Sequence, residues 1–166
     1  MFCAFALALC MLPLPDAQAT PDRIIDIAKG RPEMAAAVEQ ARAGLSGFFA
    51  RFARPGPGET YFLIKYDLVP GAVDEFIWAR VISRADAVTV ARLVNTPRAP
   101  GYRQGQEVRV PDAEVIDWSY TKDNKRVEGA FTTRALLTMV SPAEAAAIRK
   151  GHGWNRISVP RPAHPR

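Results

Sequence analysis

The fold is decided by the stretch Tyr61-Phe62-Leu63-Ile64-Lys65-Tyr66-Asp67-Leu68. The even positions carry aromatic and aliphatic residues, and the odd positions between them include the charged Lys65 and Asp67. Successive side chains of a strand point to opposite faces, so this pattern predicts a half-buried strand. Before Pro55 the apolar residues instead recur at spacings of three and four, which is typical of a helix with one packed face. The change of period predicts an α+β fold.

The helix on the N-terminal side of this strand is predicted over residues 32–53. Pro32 suits its first turn, where a missing backbone N–H costs nothing. Gly44 and Gly47 lower its intrinsic stability by roughly 1 kcal/mol each relative to alanine, so its stability must come from packing. Pro55-Gly56-Pro57-Gly58 ends it. The residues on its packed face are Met34, Val38, Ala41, Leu45, Phe48 and Phe52.

Further runs of β-branched and aromatic residues follow the first strand, and the turns between most of them are short. Short turns favour antiparallel neighbours, because a parallel crossover needs a dozen or more residues. Residues 95–106 form the longest irregular stretch, which makes them the candidate functional loop. The predicted strands are Glu75–Ile82, Thr89–Val94, Glu107–Val110, Val115–Thr121 and Val127–Leu137.

A second, short helix is predicted over residues 142–150. Ser141-Pro142-Ala143-Glu144 combines an N-cap serine, a proline at the first helical position and a glutamate that completes a capping box. Gly151 supplies the stop. The prediction is therefore an α+β domain: a curved antiparallel sheet of about five to six strands in a meander, flanked by an N-terminal and a short C-terminal helix.

The N-terminus has the pattern of a secretory signal peptide, residues 1–19. Phe2–Leu14 is almost entirely apolar and is followed by Ala17-Gln18-Ala19, an A-x-A cleavage site. No Lys or Arg precedes the apolar run, which is too short for a permanent anchor. Cys10 suggests a lipoprotein, but the bulky Leu9 before it argues against lipidation. We expect a periplasmic or secreted protein with no stable membrane anchor after cleavage.

The amino-acid composition further limits the class of protein. The chain of 166 residues is 48% hydrophobic and 23% charged, which predicts one globular domain, residues 20–150, before a proline-rich tail, residues 151–166. A net charge of +5 is more typical of solubility than of nucleic-acid binding, and export also argues against a nucleic-acid partner. Cys3 and Cys10 both lie in the signal, so the mature chain has no thiol chemistry or disulfide.

Catalytic signals are sparse. The only histidines, His152 and His164, lie at or beyond the last helix, which disfavours a nucleophilic triad or a zinc site. We expect no cofactor and no metal. Asp117 and Glu128 lie on strands joined by a short turn and could form an acid/base pair. An ion network between the strands is the structural alternative.

Aromatic and basic residues give a candidate binding surface. An aromatic pair near Lys65 and Arg134 would suit a groove for a peptide, a glycan or an anionic group. Packing in the core, with tyrosine hydroxyls at the rim, is the alternative for each aromatic residue. The candidate binding residues are Lys65, Tyr66, Trp78, Asn95, Trp118, Tyr120 and Arg134.

Several segments resemble the YegJ-like family of domains of unknown function. The most specific is Asp117-Trp118-Ser119-Tyr120, followed by a turn and Gly129-Ala130-Phe131-Thr132-Thr133-Arg134. Residues 62–66, 75–79, 93–95 and 105–108 match as well. The chain departs at Gly30-Arg31, where acidic N-cap residues are expected, and in its tail.

The resemblance implies a compact α+β domain that is sometimes secreted, with no known substrate. Some related small domains lie beside toxin genes as suspected immunity proteins. Two functions stay open. The sequence favours a non-enzymatic binding module for another periplasmic protein, immunity-like or chaperone-like. The alternative is a small hydrolase or lyase that acts on cell-wall material through Asp117 and Glu128.

Overall fold

A computed structural model describes residues 30–71, 75–124 and 126–151 of the chain. The predicted signal peptide and all but the first residue of the proline-rich tail lie outside these ranges, so they stay predictions. Within the described part of the chain, no helix is long and apolar enough to cross a membrane.

Within the described ranges, the fold is a six-stranded antiparallel sheet with three α-helices, which confirms the predicted α+β class. Strands β1 to β4 form a meander, and β5 then pairs with the other side of β1, giving the order β4-β3-β2-β1-β5-β6. A single turn of 3-10 helix, Asp112–Glu114, lies between β4 and β5. The elements are α1 (Pro32–Ala53), β1 (Glu59–Asp67), β2 (Phe76–Ala85), β3 (Val88–Leu93), β4 (Glu107–Pro111), β5 (Asp117–Lys122), β6 (Arg126–Gly129), α2 (Phe131–Met139) and α3 (Pro142–Gly151).

One predicted element is wrong. Residues 127–137 are not one strand: β6 ends at Gly129, and α2 begins at Phe131. Gly129 and Ala130 have φ angles of 75° and 57°, and this left-handed backbone cannot continue a strand. The apolar run that follows fits either period over so few residues, so sequence alone gave no signal for the switch.

The core lies between α1 and one face of the sheet, which we call the inner face. Phe48 is 1% exposed, stacks on Trp118 and contacts Phe62 of β1. The Trp118 indole N–H donates to the carbonyl oxygen of Ala41 across 2.8 Å. Gly44 lets the helix approach this ring closely. The packed face predicted from helical spacing is thus the face that covers the sheet.

The opposite face, the outer face, carries exposed side chains on β2 and β3 beside a small buried cluster of Leu63, Trp78 and Ala130. Tyr61, Phe76 and Ile82 are 44–45% exposed there, while their neighbours on the inner face are buried. The pairing of β1 with β5 and of β2 with β3 is irregular beside Tyr61 and Ile82. Antiparallel sheets commonly pack one face and leave the other solvated. Large apolar residues are not the expected choice for the solvated side.

Candidate functional site

The first group of polar residues lies where β5 meets α2. Asp117 is fully buried and accepts four hydrogen bonds. Its donors are the N–H groups of Trp118 (2.8 Å), Phe131 (3.2 Å) and Thr132 (2.8 Å), and the Thr132 hydroxyl (2.6 Å). Two of these N–H groups belong to the first turn of α2. We call the group of Lys65, Asp117, Trp118, Phe131 and Thr132 the β5–α2 junction.

Asp117 does the work of a helix cap for α2. The residue at the N-cap position, Ala130, has no side chain that could accept a hydrogen bond. The first N–H groups of a helix need acceptors, and a carboxylate near them also interacts favourably with the helix dipole. Asp117 provides this carboxylate from the neighbouring strand. These hydrogen bonds occupy the Asp117 carboxylate, which therefore stabilises the fold.

Lys65 extends the junction onto the outer face. Its ammonium donates to the Thr132 hydroxyl across 3.1 Å and lies 5.7 Å and 6.0 Å from the ring centroids of Trp78 and Phe76. Burial lowers the pKa of Lys65, and the nearby charge of Asp117 opposes this shift. Burial raises the pKa of Asp117, while the hydrogen bond from Thr132 and the charge of Lys65 act in the opposite direction.

The proposed acid/base pair of Asp117 and Glu128 is not formed. Glu128 lies opposite Tyr120 in the β5–β6 ladder, so its side chain is on the inner side of the sheet. Asp117 is three residues from Tyr120 along β5 and therefore faces the outer side. Glu128 pairs with Arg126 on its own strand. The two carboxylates lie on opposite faces of the sheet and cannot share one cleft, so the structure does not support the acid/base pair that the hydrolase or lyase hypothesis requires.

Three of the candidate binding residues lie on the inner face. Tyr66 is 5% exposed and Tyr120 is 7% exposed; Tyr120 stacks on Phe62. Trp118 stacks on Phe48 and meets the ring of Phe131 edge-on. The structure therefore places these three in or against the core, the alternative that the sequence left open. Burial also raises the pKa of Tyr66.

Asn95 and Arg134 bind backbone groups. The Asn95 side-chain oxygen accepts the Trp78 N–H across 3.2 Å, which ties the end of β3 to β2. Arg134 donates to the carbonyl oxygens of Gly129 and Val127 at the end of β6. Both residues thus support strand ends.

The candidate loop at 95–106 is held down at its start. Glu75 is 8% exposed and accepts the N–H groups of Arg98 and Ala99 across 2.6 Å and 2.9 Å. The Gln104 side chain donates to the Val94 carbonyl oxygen across 2.7 Å. These bonds order the loop against the sheet.

A second group of residues lies on the outer face. The Arg80 guanidinium lies 5.3 Å from the ring centroid of Tyr61. Tyr61 has a φ of 55°, a left-handed conformation that is uncommon and strained for a bulky residue. Arg92 is directly opposite Arg80 on β3. We call Tyr61, Phe76, Arg80, Ile82 and Arg92 the outer patch.

None of the outer-patch residues is among the candidate binding residues predicted from the sequence. Arg80 and Ile82 lacked any motif. The alternation of β2 did contain a signal: the side chains of Ala79 and Val81 are buried, so Arg80 and Ile82 between and after them face the other side of the sheet. An apolar Ile82 on the polar side of a strand is the anomaly that could have marked this surface.

The comparisons with known proteins give one match. The family model described as "Uncharacterized protein conserved in bacteria (DUF2314)" matches residues 31–155, from the start of α1 to beyond the end of α3. No curated protein and no solved structure matches the chain.

Proposed function

The chain belongs to the DUF2314 family of uncharacterised proteins conserved in bacteria. From that premise we propose that it is a non-enzymatic binding module that docks another exported protein on its outer patch. The single observation that carries the proposal is the exposure of Tyr61, Phe76 and Ile82 on the face of the sheet that also carries the exposed Arg80.

The composition of the outer patch supports a protein partner. Tyrosine and arginine are enriched among the residues that carry most of the binding energy in protein interfaces. Tyr61 lies under Arg80, so each restricts the other before any partner arrives. A surface ordered in advance loses less conformational entropy on binding.

The non-enzymatic part of the proposal rests on how the polar groups are used. Asp117 is 0% exposed and Thr132 is 1% exposed, and their side chains hydrogen-bond to each other. A substrate could reach neither group without opening the junction. Among the described residues, the carboxylate in ion-pair contact with the outer patch is Glu107, which is exposed and bound to Arg92.

The exported location and the narrower YegJ-like assignment belong to the same proposal. They rest on the signal-peptide pattern of residues 1–19 and on the Asp117-Trp118-Ser119-Tyr120 segment with its following turn. An immunity-like role predicts a single tightly bound protein, whereas a chaperone-like role predicts several clients of weaker affinity.

Position-specific photocrosslinking in the bacterial host tests the proposal. A photoreactive phenylalanine analogue replaces Ile82 in the full-length chain, and a matched analogue replaces Glu39, an exposed residue of α1. We expect one discrete adduct with another protein from position 82 and none from position 39. The adduct should disappear when excess purified wild-type chain competes, and when Arg80→Glu is added.

Two results of the photocrosslinking experiment would contradict the proposal. Adducts of equal strength from both positions, or from position 39 alone, would show that the outer patch is not the docking surface. An absence of any adduct from positions 82, 76 and 61 in turn would remove the proposed function. The fold of each variant is checked by its near-ultraviolet circular dichroism, because Trp118 reports on the core.

A further inference from the structure

The outer patch contains an imbalance of charge at its centre. Arg80 and Arg92 are directly opposite each other in the β2–β3 ladder, and both are exposed. Like charges in this relation destabilise a sheet. Among the residues that the structure describes, Arg80 has no carboxylate within ion-pair distance. Its guanidinium is held over the Tyr61 ring.

Arg92 has one ion-pair partner among the residues that the structure describes, and the pair is weak. Its guanidinium contacts Glu107 across 2.6 Å, but both side chains are more than half exposed, at 55% and 56%. Such exposed pairs contribute little to stability. Arg109 is also exposed on the same face, opposite Val90. Within the described part of the chain, Glu107 is the one carboxylate in ion-pair contact with any of these three arginines.

We propose that Arg80 and Arg92 together seat a carboxylate of the docked protein, so that the partner presents an acidic segment with apolar neighbours. This inference rests on the proposed function and specifies the partner's chemistry. The guanidinium groups supply paired donors that match the two oxygens of a carboxylate. Tyr61, Phe76 and Ile82 supply apolar contacts around it.

A polypeptide carboxylate fits this seat better than a phosphate group. Phosphate sites usually add backbone N–H groups from a helix start or a glycine-rich loop. Here β2 and β3 are paired with each other and with further strands on both sides, so their backbone N–H groups belong to the ladder. The seat can offer side chains alone, and the apolar residues around it suit protein side chains.

A peptide titration tests the inference on the purified chain. The probes are a blocked hexapeptide that alternates glutamate and leucine, the matched glutamine–leucine peptide, and inorganic tripolyphosphate. Amide chemical shifts report binding and its site. We expect the glutamate peptide to shift the resonances of Tyr61, Arg80 and Arg92, with affinity that falls as salt rises. The glutamine peptide should bind about tenfold more weakly.

Two double variants of equal charge locate the seat. Arg80→Gln with Arg92→Gln should weaken binding of the glutamate peptide about tenfold. Arg54→Gln with Arg103→Gln removes the same charge from exposed positions elsewhere and should leave the affinity within about twofold. An equal loss in both double variants would show that the net charge of the protein, and not a seat, attracts the peptide.

The remaining outcomes decide between ligand classes and between the two proposals. Tighter binding of tripolyphosphate than of the glutamate peptide at Arg80 and Arg92 would replace the carboxylate by a phosphate ligand. No shift at these residues with any probe would overturn the inference. If crosslinking from position 82 succeeds while the peptides fail to bind, the carboxylate seat is wrong and the docking surface stands. Failure of crosslinking overturns the proposed function itself.

Discussion

The β5–α2 junction and the outer patch lie on the same sheet and use their polar groups in opposite ways. At the junction, Asp117 accepts four hydrogen bonds and Lys65 donates to Thr132. On the outer patch, Arg80 is exposed and lies over a strained Tyr61. The first region holds buried charge that is bonded within the fold. The second displays charge and apolar surface to solvent.

The most distinctive motif of the sequence and the proposed binding surface do not coincide. Asp117-Trp118-Ser119-Tyr120 is the most distinctive segment of the sequence, yet its side chains hold a helix, a strand and the core together. A buried carboxylate without donors would be costly, so its partners are fixed by the fold. The residues that we propose for binding follow no such motif.

The largest expected effect comes from removing the carboxylate of the junction. Asp117→Ala leaves the first N–H groups of α2 and the Thr132 hydroxyl without their acceptor, and should lower the free energy of unfolding by about 3–5 kcal/mol. Urea denaturation measures this. Glu128→Ala, which removes only a partly exposed carboxylate, should cost less than about 1 kcal/mol.

Asp117→Asn provides a milder test of the same contrast. It keeps one side-chain oxygen as an acceptor and loses the charge, so its cost should lie between those of the two alanine variants. Equal stability of Asp117→Ala and Glu128→Ala would contradict the role of Asp117 as the cap of α2.

The two glycines of α1 test how closely the helix approaches the junction. A Cβ at Gly44 would lie 2.8 Å from Cζ2 of Trp118, whereas a Cβ at Gly47 would meet nothing within 4 Å. Gly44→Ala should therefore cost about 1–3 kcal/mol by overpacking. Gly47→Ala should stabilise the protein by up to about 1 kcal/mol through helix propensity. Thermal unfolding of the two variants measures whether each is stabilised or destabilised. Higher stability in both would disprove the close contact between α1 and Trp118.

The pH dependence of stability tests the burial of Lys65. Because burial lowers its pKa from 10.5 in the folded protein, the unfolded chain binds more protons between the folded value and 10.5. The free energy of unfolding should then rise with pH in this window, with a slope of at most about 1.4 kcal/mol per pH unit. Lys65→Met should remove this contribution.

Urea denaturation of wild type and of Lys65→Met from about pH 7 to about pH 10 isolates the lysine, because the raised pKa values of Tyr66 and Tyr120 affect both proteins alike. Parallel curves for the two proteins would show that the Lys65 ammonium is solvated in the folded state.

The smallest effect on stability is expected at the outer patch. Tyr61→Asn places a residue that tolerates a left-handed backbone at φ 55°, and loses the contact with Arg80. The two changes oppose each other, so the free energy of unfolding should shift by less than about 1 kcal/mol. Crosslinking from position 82 should nevertheless fall severalfold. Loss of stability without loss of crosslinking would assign Tyr61 to the fold.

Much of the fold could be predicted because burial leaves a period in the sequence. The helical spacing from Met34 to Phe52 predicted α1 within the bounds that the structure gives. The alternation at 61–68 predicted β1 and its inner face. A capping box predicted the start of α3, where Ser141 and Glu144 exchange hydrogen bonds. Each of these signals depends on residues that are close in sequence, so it can be read without knowing the tertiary structure.

The errors came from interactions that are distant in sequence. The start of α2 depends on the left-handed backbone at Ala130 and on a carboxylate from another strand, which no window around residue 131 contains. The faces of Asp117 and Glu128 depend on the register of β5 and β6. The proposed patch depends on which face α1 covers. Periodicity alone does not supply this information.

The remote cap of α2 has a consequence for how the family can diverge. A helix that carries its own cap can exchange that residue independently of the rest of the chain, but here the acceptor and its donors lie on different elements. Residues 117 and 132 should therefore be inherited together, as an acid with a hydroxyl. Position 130, buried and left-handed, should admit only glycine or alanine. The side chains of the outer patch form no such cap, so they can vary among homologues while the junction stays the same.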